Sequence, residues 1–207
     1  MWKRDKQTTG GNKKVLTDES RTMLGDDQEK WLHDGIKGSK ATWRVLAQQV
    51  MMGPLQSNGV VINTDQWDGY QATRERLYKA LDEAASGGFV VLTGDIHSSW
   101  AIELPREIGK YDEKTGSGAI GVEFVTPGVT SGGIPGGATL VNLAIENNPN
   151  IRWADIEHRG FAVLSLSADQ ATCTWFHADD IKKKDGTTKQ AKVWATKRDK
   201  PRLFEVK

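Results

Sequence analysis

Apolar residues in the first half of the chain recur either in short runs or at helical spacing. At residues 73–85 they return every three or four positions, which predicts an amphipathic helix. Residues 26–36 predict another helix, because acidic side chains in its first turn favour the positive end of the helix dipole. Residues 43–52 and 89–93 are apolar runs next to glycine, typical of buried strands. The order strand, helix, strand predicts an α/β fold with helices covering the sheet.

The second half of the chain is richer in extended segments and turn residues. Its predicted elements are a strand at 119–125, a Gly-, Pro-, Ser- and Thr-rich loop at 126–137, a short helix at 140–146, and a hairpin formed by 161–166 and 172–177. Residues 179–207 are predicted to form a charged extension with a last strand at 191–196. The apolar residues of segment 1–20 follow neither the helical nor the strand period, which predicts an irregular surface segment.

Composition narrows the classes of function. The chain has 207 residues, and its 28 Lys and Arg nearly balance its 27 Asp and Glu, which argues against a strongly basic nucleic-acid-binding protein. No apolar run approaches the roughly 18–20 residues of a membrane-spanning helix, and the first residues lack the apolar stretch of a signal peptide. The single cysteine, Cys173, excludes an internal disulfide framework and is expected to be a buried thiol.

Tryptophan is abundant for a chain of this length. The eight tryptophans could indicate a carbohydrate-binding surface, but most of them fall inside apolar segments, where a large core residue is the simpler interpretation. Both interpretations stay open from the sequence.

The candidate chemistry begins directly after the predicted strand at 89–93, in Gly94-Asp95-Ile96-His97. Asp95 and His97 are two positions apart, so in extended backbone both side chains would project to one side. A carboxylate oxygen and an imidazole nitrogen together suit hard or borderline cations such as iron, manganese, zinc or calcium. The alternative is an ordinary turn aspartate with a histidine beside it by chance.

A second polar cluster precedes the helix at 73–85 and contains Asp65, Asp68 and Arg74. The arginine could pair bidentately with phosphoryl oxygens, which makes Arg74 a candidate catalytic residue. The alternative is that Asp68 caps the helix and Arg74 only occupies its first turn. Of the other histidines, His33 and His177 are expected to be structural or surface residues. His158 has a better claim to the rim of a pocket, although a hydrogen-bonded turn or core role is the expected case.

Several segments carry a resemblance to a known family. Residues 94–100 (Gly-Asp-Ile-His-Ser-Ser-Trp) resemble the late metal-binding motif of the PhoD-like alkaline phosphatases and phosphodiesterases, a branch of the calcineurin-like metallophosphoesterases. Further blocks resemble that family in the same order: residues 21–32, 43–52, 65–70, 124–131 and 157–161. The resemblance covers the chain from residue 1 to about residue 178.

The resemblance implies a four-layer α/β sandwich with mixed sheets, and metal-activated water that attacks a phosphate mono- or diester. On this basis Asp95 and His97 each ligate a metal, and Gln49 contributes its amide oxygen. Gln48 is the alternative to Gln49, because adjacent strand residues face opposite ways. The metals implied are iron and calcium, and the family is one of exported enzymes.

The chain also departs from the family pattern. Nothing before the late motif resembles the family's early ligand segments, so residues 1–178 are predicted to be the carboxyl-terminal half of the catalytic domain. The chain alone is then expected to be inactive and to associate with an amino-terminal half that completes the site. The alternative is a noncatalytic binding module derived from the same fold.

Overall fold

The computed structural model describes residues 4–8, 12–85 and 87–206. Its helices are α1 (Lys13–Leu16), α2 (Asp26–Gly38), α3 (Gln71–Asp82) and α4 (Ala138–Asn147), with 3₁₀ turns at Trp67–Gly69 and Ile108–Lys110. Its strands are β1 (Trp43–Ala47), β2 (Gln56–Ser57), β3 (Val60–Val61), β4 (Gly88–Thr93), β5 (Ser99–Pro105), β6 (Ala119–Val125), β7 (Ile151–Asp155), β8 (Gly160–Leu166), β9 (Gln170–Ala178), β10 (Thr188–Lys197) and β11 (Lys200–Glu205).

A mixed five-stranded sheet organises the molecule, in the order β1-β4-β6-β5-β7. Strands β1, β4 and β6 are parallel, while β5 runs antiparallel to both β6 and β7. The carboxyl ends of β1, β4, β6 and β7 and the start of β5 therefore meet at one edge of the sheet. Ligands of open α/β sheets bind at this kind of edge.

Helices cover one face of this sheet. On α3, Leu77 and Tyr78 are fully or almost fully buried, and they belong to the same cluster as Phe89 and Val91 of β4. Alternation along β4 sends Val90 to the opposite face. Burying an apolar side chain of this size contributes about 1.5–3 kcal/mol. The apolar periodicity of α3 is thus the sequence feature that docks it on the sheet.

An antiparallel sheet in the order β11-β10-β9-β8 covers the other face. Cys173 and Trp175 of β9 are buried there together with Val90 and Phe124. The Trp175 indole packs edge-on against Phe124, with ring centroids 5.6 Å apart, and donates a hydrogen bond of 2.9 Å to the carbonyl of Val125. The described residues thus form three layers: helices, mixed sheet and antiparallel sheet.

The mixed α/β prediction is confirmed, as are both long helices, the hairpin, the short helix and the strands predicted at 89–93 and 119–125. The strand predicted at 43–52 is shorter than expected and ends at Ala47. Residues 1–20 contain the short helix α1, which was not predicted. Residues 179–207 supply β10 and β11, and both pair within the sheet that contains β9.

Most of the described tryptophans are buried or half-buried, as expected for core residues. Of the seven in the described part of the chain, Trp31 is the one that is largely exposed, at 72%. The outer face of the antiparallel sheet carries exposed Phe161, Val163 and Phe204. Among the described residues no helix combines the length and apolar character that crossing a membrane requires.

Candidate metal centre

Backbone hydrogen bonds beyond the strands align the edge where the candidate ligands lie. The amide of Gln48 donates to the carbonyl of Leu92 at 3.0 Å, and the amide of Gly94 donates to the carbonyl of Gln49 at 3.1 Å. On the β6 side of β4, the amide of Thr126 donates to the carbonyl of Thr93 at 2.8 Å. These bonds hold the segment after β1 beside the turn that follows β4. Gln49 and the Gly94–His97 turn are neighbours for this reason.

Asp95 and His97 occupy unusual backbone conformations in this turn. Their φ angles are +65° and +56°, in the left-handed region. Each such residue costs about 1–2 kcal/mol relative to ordinary backbone, although Asp and His are among the residue types that adopt this region most readily. Backbone strain of this kind clusters at functional sites. The amide of Ile96 donates to the carbonyl of Gly94 at 2.8 Å and tightens the turn.

This geometry corrects one step of the sequence argument. Strand β4 ends at Thr93, so Asp95 and His97 lie in a tight turn, and the alternation of an extended strand does not govern their directions. Both side chains are exposed, and neither forms a hydrogen bond with another residue in the described ranges. Their carboxylate and imidazole are accordingly available to a ligand. The roles predicted for Asp95 and His97 as metal ligands stay predictions.

The two glutamines after β1 differ in their surroundings. The side-chain amide of Gln48 donates to Thr93 Oγ1 at 2.6 Å, and its oxygen accepts from the Trp67 indole at 3.1 Å. Gln49 is exposed. A side chain that is already bonded on both its polar atoms is poorly suited to ligate a metal, so the geometry favours Gln49 over Gln48. Its role as a ligand is a prediction that these contacts support.

Arg74 lies in a buried ion pair. Its Nη1 is 2.8 Å from Asp68 Oδ1 and also donates to the carbonyl of Met52 at 2.8 Å. Burial is the largest influence and alone would lower the pKa of Arg74, but the charge and hydrogen bond of Asp68, together with nearby Tyr78 and Glu123, raise that pKa above its ordinary value. Asp68 does not cap α3, because its other oxygen accepts from the amide of Leu55 at 2.9 Å. The contact of Arg74 with phosphate stays a prediction, whereas its structural pairing is directly visible.

Glu123 holds the segment that follows Gln49 through hydrogen bonds. It was not identified from the sequence. Its carboxylate is fully buried and accepts from the amides of Met52 at 2.9 Å and Gly53 at 2.6 Å, and from the hydroxyl of Thr93 at 2.5 Å. Burial raises the pKa of Glu123 above its ordinary value, against the opposing effect of these bonds and of Arg74. A charged residue inside an apolar strand was the available signal. Glu123, Asp68 and Arg74 together fix the path of the chain after Gln49.

Comparison with known proteins decides the family. The family model described as PhoD-like phosphatase matches residues 1–175 of the chain. The chain belongs to the PhoD-like phosphatase family. This confirms the resemblance inferred from the sequence motifs.

A curated relative and a solved structure agree with this PhoD-like assignment. The chain is 36% identical to alkaline phosphatase D of Bacillus subtilis (strain 168), over 81% of its own length and 29% of that protein. It also superposes on the solved structure titled "Structure of PhoD" with a TM-score of 0.83 and 26% identity, covering 99% of this chain and 40% of that one. The chain therefore spans well under half the length of these relatives, which is consistent with a match to one part of the family's sequence.

A second polar cluster of this PhoD-like chain lies at the end of β7. It joins Asp155, His158 and His177, whose potential ligand atoms all lie within 4.8 Å of one another. Burial alone would raise the pKa of Asp155, but hydrogen bonds from the backbone amide and imidazole of His158 lower it, while burial lowers the pKa of His177. The sequence indicated a hydrogen-bonded turn role for His158, which the structure confirms, but it did not single out Asp155. The spacing Asp-x-x-His directly after a strand was the available signal.

An apolar cavity of about 510 Å³ adjoins the turn that carries His97. Ile96 and Trp100 line one side of it, and Leu140 of α4 lines another. Leu140 is 54% exposed, so the cavity opens to solvent. A chemical group held at His97 would have an apolar surface beside it.

Proposed function

We propose that this chain supplies the later ligands of a metal-dependent hydrolase of phosphate mono- or diesters, namely Gln49, Asp95 and His97. The observation that carries the proposal is the turn at the carboxyl end of β4. Beside Gln49 it presents a carboxylate and an imidazole that bond to no other described residue, at the edge of the sheet where such folds bind ligands. Membership of the PhoD-like phosphatase family supports phosphoester hydrolysis as the reaction class.

The donor set fits metal ions of the kind proposed. One carboxylate oxygen, one imidazole nitrogen and one amide oxygen are ligands for hard or borderline cations, and we propose iron and calcium from the family resemblance. When bound, such ions lower the pKa of water and offset negative charge on the phosphoryl oxygens. In this chain the strained turn orients Asp95 and His97, and the Gly94 amide bonded to Gln49 sets the spacing between the two segments.

Three ligands do not complete a two-metal centre, so a further segment must contribute. We propose that residues 1–178 correspond to the later part of the catalytic domain and that an amino-terminal half supplies the remaining ligands. That half would also complete the four-layer sandwich by covering the antiparallel sheet, whose outer face exposes Phe161, Val163 and Phe204. Export of the complete enzyme follows from the same resemblance. Residues 179–207 would then be an extension that adds strands to this sheet.

The experiment is complementation. We expect little phosphatase or phosphodiesterase activity from the chain alone, and activity after mixing with a separately produced segment that covers the unmatched earlier part of alkaline phosphatase D. In the mixture, Asp95→Asn and His97→Gln should each lower kcat by at least about a hundredfold, because each removes a group that holds the metal centre. His33→Gln, on α2, is the matched control and should leave the rate unchanged.

A mixture that binds as one complex but hydrolyses neither ester would contradict the proposal and favour a noncatalytic binding module. Equal rates for Asp95→Asn, His97→Gln and His33→Gln would instead show that activity does not depend on this turn.

A further inference from the structure

Asp155 is held so that one of its oxygens is free to face two histidines. Its Oδ1 accepts hydrogen bonds from the backbone amides of Glu157 at 3.0 Å and His158 at 2.9 Å, which closes a turn directly after β7. Its Oδ2 is then 2.9 Å from Nδ1 of His158 and 3.9 Å from Nδ1 of His177. The turn thus fixes the carboxylate through Oδ1 and directs Oδ2 toward the two histidines.

The two histidines come from different elements and meet face to face. His158 lies in the turn, while His177 lies near the end of β9, opposite Gly160 in the antiparallel pair β8–β9. Their rings are stacked with centroids 4.9 Å apart and an angle of 9° between their planes. The side chain of His177 is 10% exposed and that of His158 is 53% exposed, so the cluster has a buried side and an open side.

Ser99 sets the orientation of His177. Its fully buried Oγ lies 3.4 Å from Nε2 of His177, within reach of an Nε2–H donor. A histidine that donates one ring N–H to the protein keeps the other nitrogen as a lone-pair ligand, which is the usual arrangement around histidine-bound metals. Here that other nitrogen is Nδ1, which faces Asp155.

We propose that Asp155, His158 and His177 form a binding site for a borderline divalent cation such as Zn²⁺, distinct from the centre at Gln49, Asp95 and His97. Two imidazole nitrogens and one carboxylate oxygen are a common ligand set for zinc, with a fourth position left to water. Ligand atoms of a tetrahedral zinc site lie roughly 3.3 Å apart, given bonds of roughly 2.0–2.2 Å. The distances of 2.9 and 3.9 Å from Asp155 Oδ2 to the two imidazole nitrogens bracket that value, and the exposed His158 ring, now nearly parallel to that of His177, rotates to aim its Nδ1 at the shared ion.

The surroundings of the cluster are compatible with a cation. Arg159 is the adjacent basic residue, but it is buried, and its guanidinium donates to the backbone carbonyls of Ser131, Gly132 and His158. Ser99 follows His97 by two residues at the start of β5 and lies opposite Asp155 of β7 in the sheet, so the two sites are neighbours. The two sites therefore share one edge of the sheet but have separate ligands.

The test is metal binding by the whole chain after treatment with a chelator. A background with Asp95→Asn and His97→Gln removes the other candidate centre. In this background we expect one equivalent of Zn²⁺ by calorimetry, and Co²⁺ should give the visible absorption of a four- or five-coordinate site. Ca²⁺ should compete poorly, because it prefers oxygen ligands.

Matched variants decide whether the cluster is the site. His158→Gln and His177→Gln should each weaken Zn²⁺ binding by more than about tenfold, and Ser99→Ala by about tenfold through loss of the orienting contact. His33→Gln should have no effect. His158→Gln changes an exposed side chain, so a folded variant is expected, and circular dichroism verifies this for each protein. Zn²⁺ affinity that is equal in the background and in His158→Gln would overturn the proposal and leave the cluster as a hydrogen-bonded turn.

Discussion

The two polar clusters at the edge of the mixed sheet are built in different ways. At the first, Asp95 and His97 are exposed, and their side chains form no hydrogen bonds within the described part of the chain, while a strained turn and the backbone contact to Gln49 hold their main chain. At the second, Asp155 and His177 are bonded through their remaining polar atoms to the turn and to Ser99. One cluster therefore offers free side chains on a fixed main chain, whereas the other orients its side chains through hydrogen bonds.

The largest effect is expected from the ion pair that supports only the first cluster. Asp68→Ala leaves the buried Arg74 without its carboxylate and the amide of Leu55 without its acceptor. We expect the free energy of unfolding to fall by about 3–5 kcal/mol, measured by urea denaturation. The control is Asp34→Ala in the exposed pair with Lys30, which should leave the free energy of unfolding nearly unchanged, because exposed ion pairs contribute little. Similar losses in both variants would show that the buried pair does not stabilise this region.

A smaller effect, with a defined pH dependence, is expected at Glu123. Glu123→Gln disturbs the bonds to the amides of Met52 and Gly53 and should lower the free energy of unfolding by about 1–3 kcal/mol. Burial raises the pKa of Glu123 above 4.5, so its stabilising contribution is fully present below pH 4.5 and is lost as pH rises through the folded-state pKa. Urea denaturation over this pH range should therefore show a stability difference between wild type and Glu123→Gln that shrinks with rising pH. A difference that grows would mean that the folded protein prefers the ionised form.

The smallest change in stability is expected from substituting one aspartate of each cluster, which compares the two clusters directly. Asp155→Ala removes the acceptor of two backbone amides and should destabilise the protein by about 1 kcal/mol. Asp95→Gly relieves left-handed strain of about 1–2 kcal/mol, which offsets the conformational entropy that glycine adds to the unfolded chain, so stability should be unchanged or slightly higher. Thermal unfolding measures both. Equal destabilisation by the two substitutions would remove the distinction between the clusters.

The parts of the fold that were predicted from sequence are those with a clear period. Helix α3 and strand β4 carry uninterrupted apolar patterns, and both form where expected. Strand β5 was missed, although it is buried along its whole length, because Glu103 interrupts its apolar pattern. Glu103 is compatible with burial since it accepts from the amide of Leu203 at 2.9 Å and from the Tyr111 hydroxyl at 2.8 Å, contacts that no local pattern reveals.

The candidate centre was predictable only in part for a related reason. Asp95 and His97 are close in sequence and follow an obvious strand, so their motif was visible. The choice between Gln48 and Gln49 rests on the contacts of Gln48 with Thr93 and Trp67, which depend on the tertiary fold. His177 was assigned a structural or surface role because it closes a predicted strand before Asp179 and Asp180, and its approach to Asp155 depends on the pairing of β8 with β9, in which it lies opposite Gly160.

The backbone bond between Gly94 and Gln49 has a consequence for how this family can change over evolution. Because main-chain atoms hold positions 49 and 95 beside each other, the side chains there can be exchanged without rebuilding the fold. If these positions hold a metal as proposed, single substitutions there would shift the preference between cations that favour oxygen ligands and cations that favour nitrogen ligands. On the proposed function, the backbone of the turn after β4 would stay the same while the metal it binds could differ between relatives that keep the same sheet.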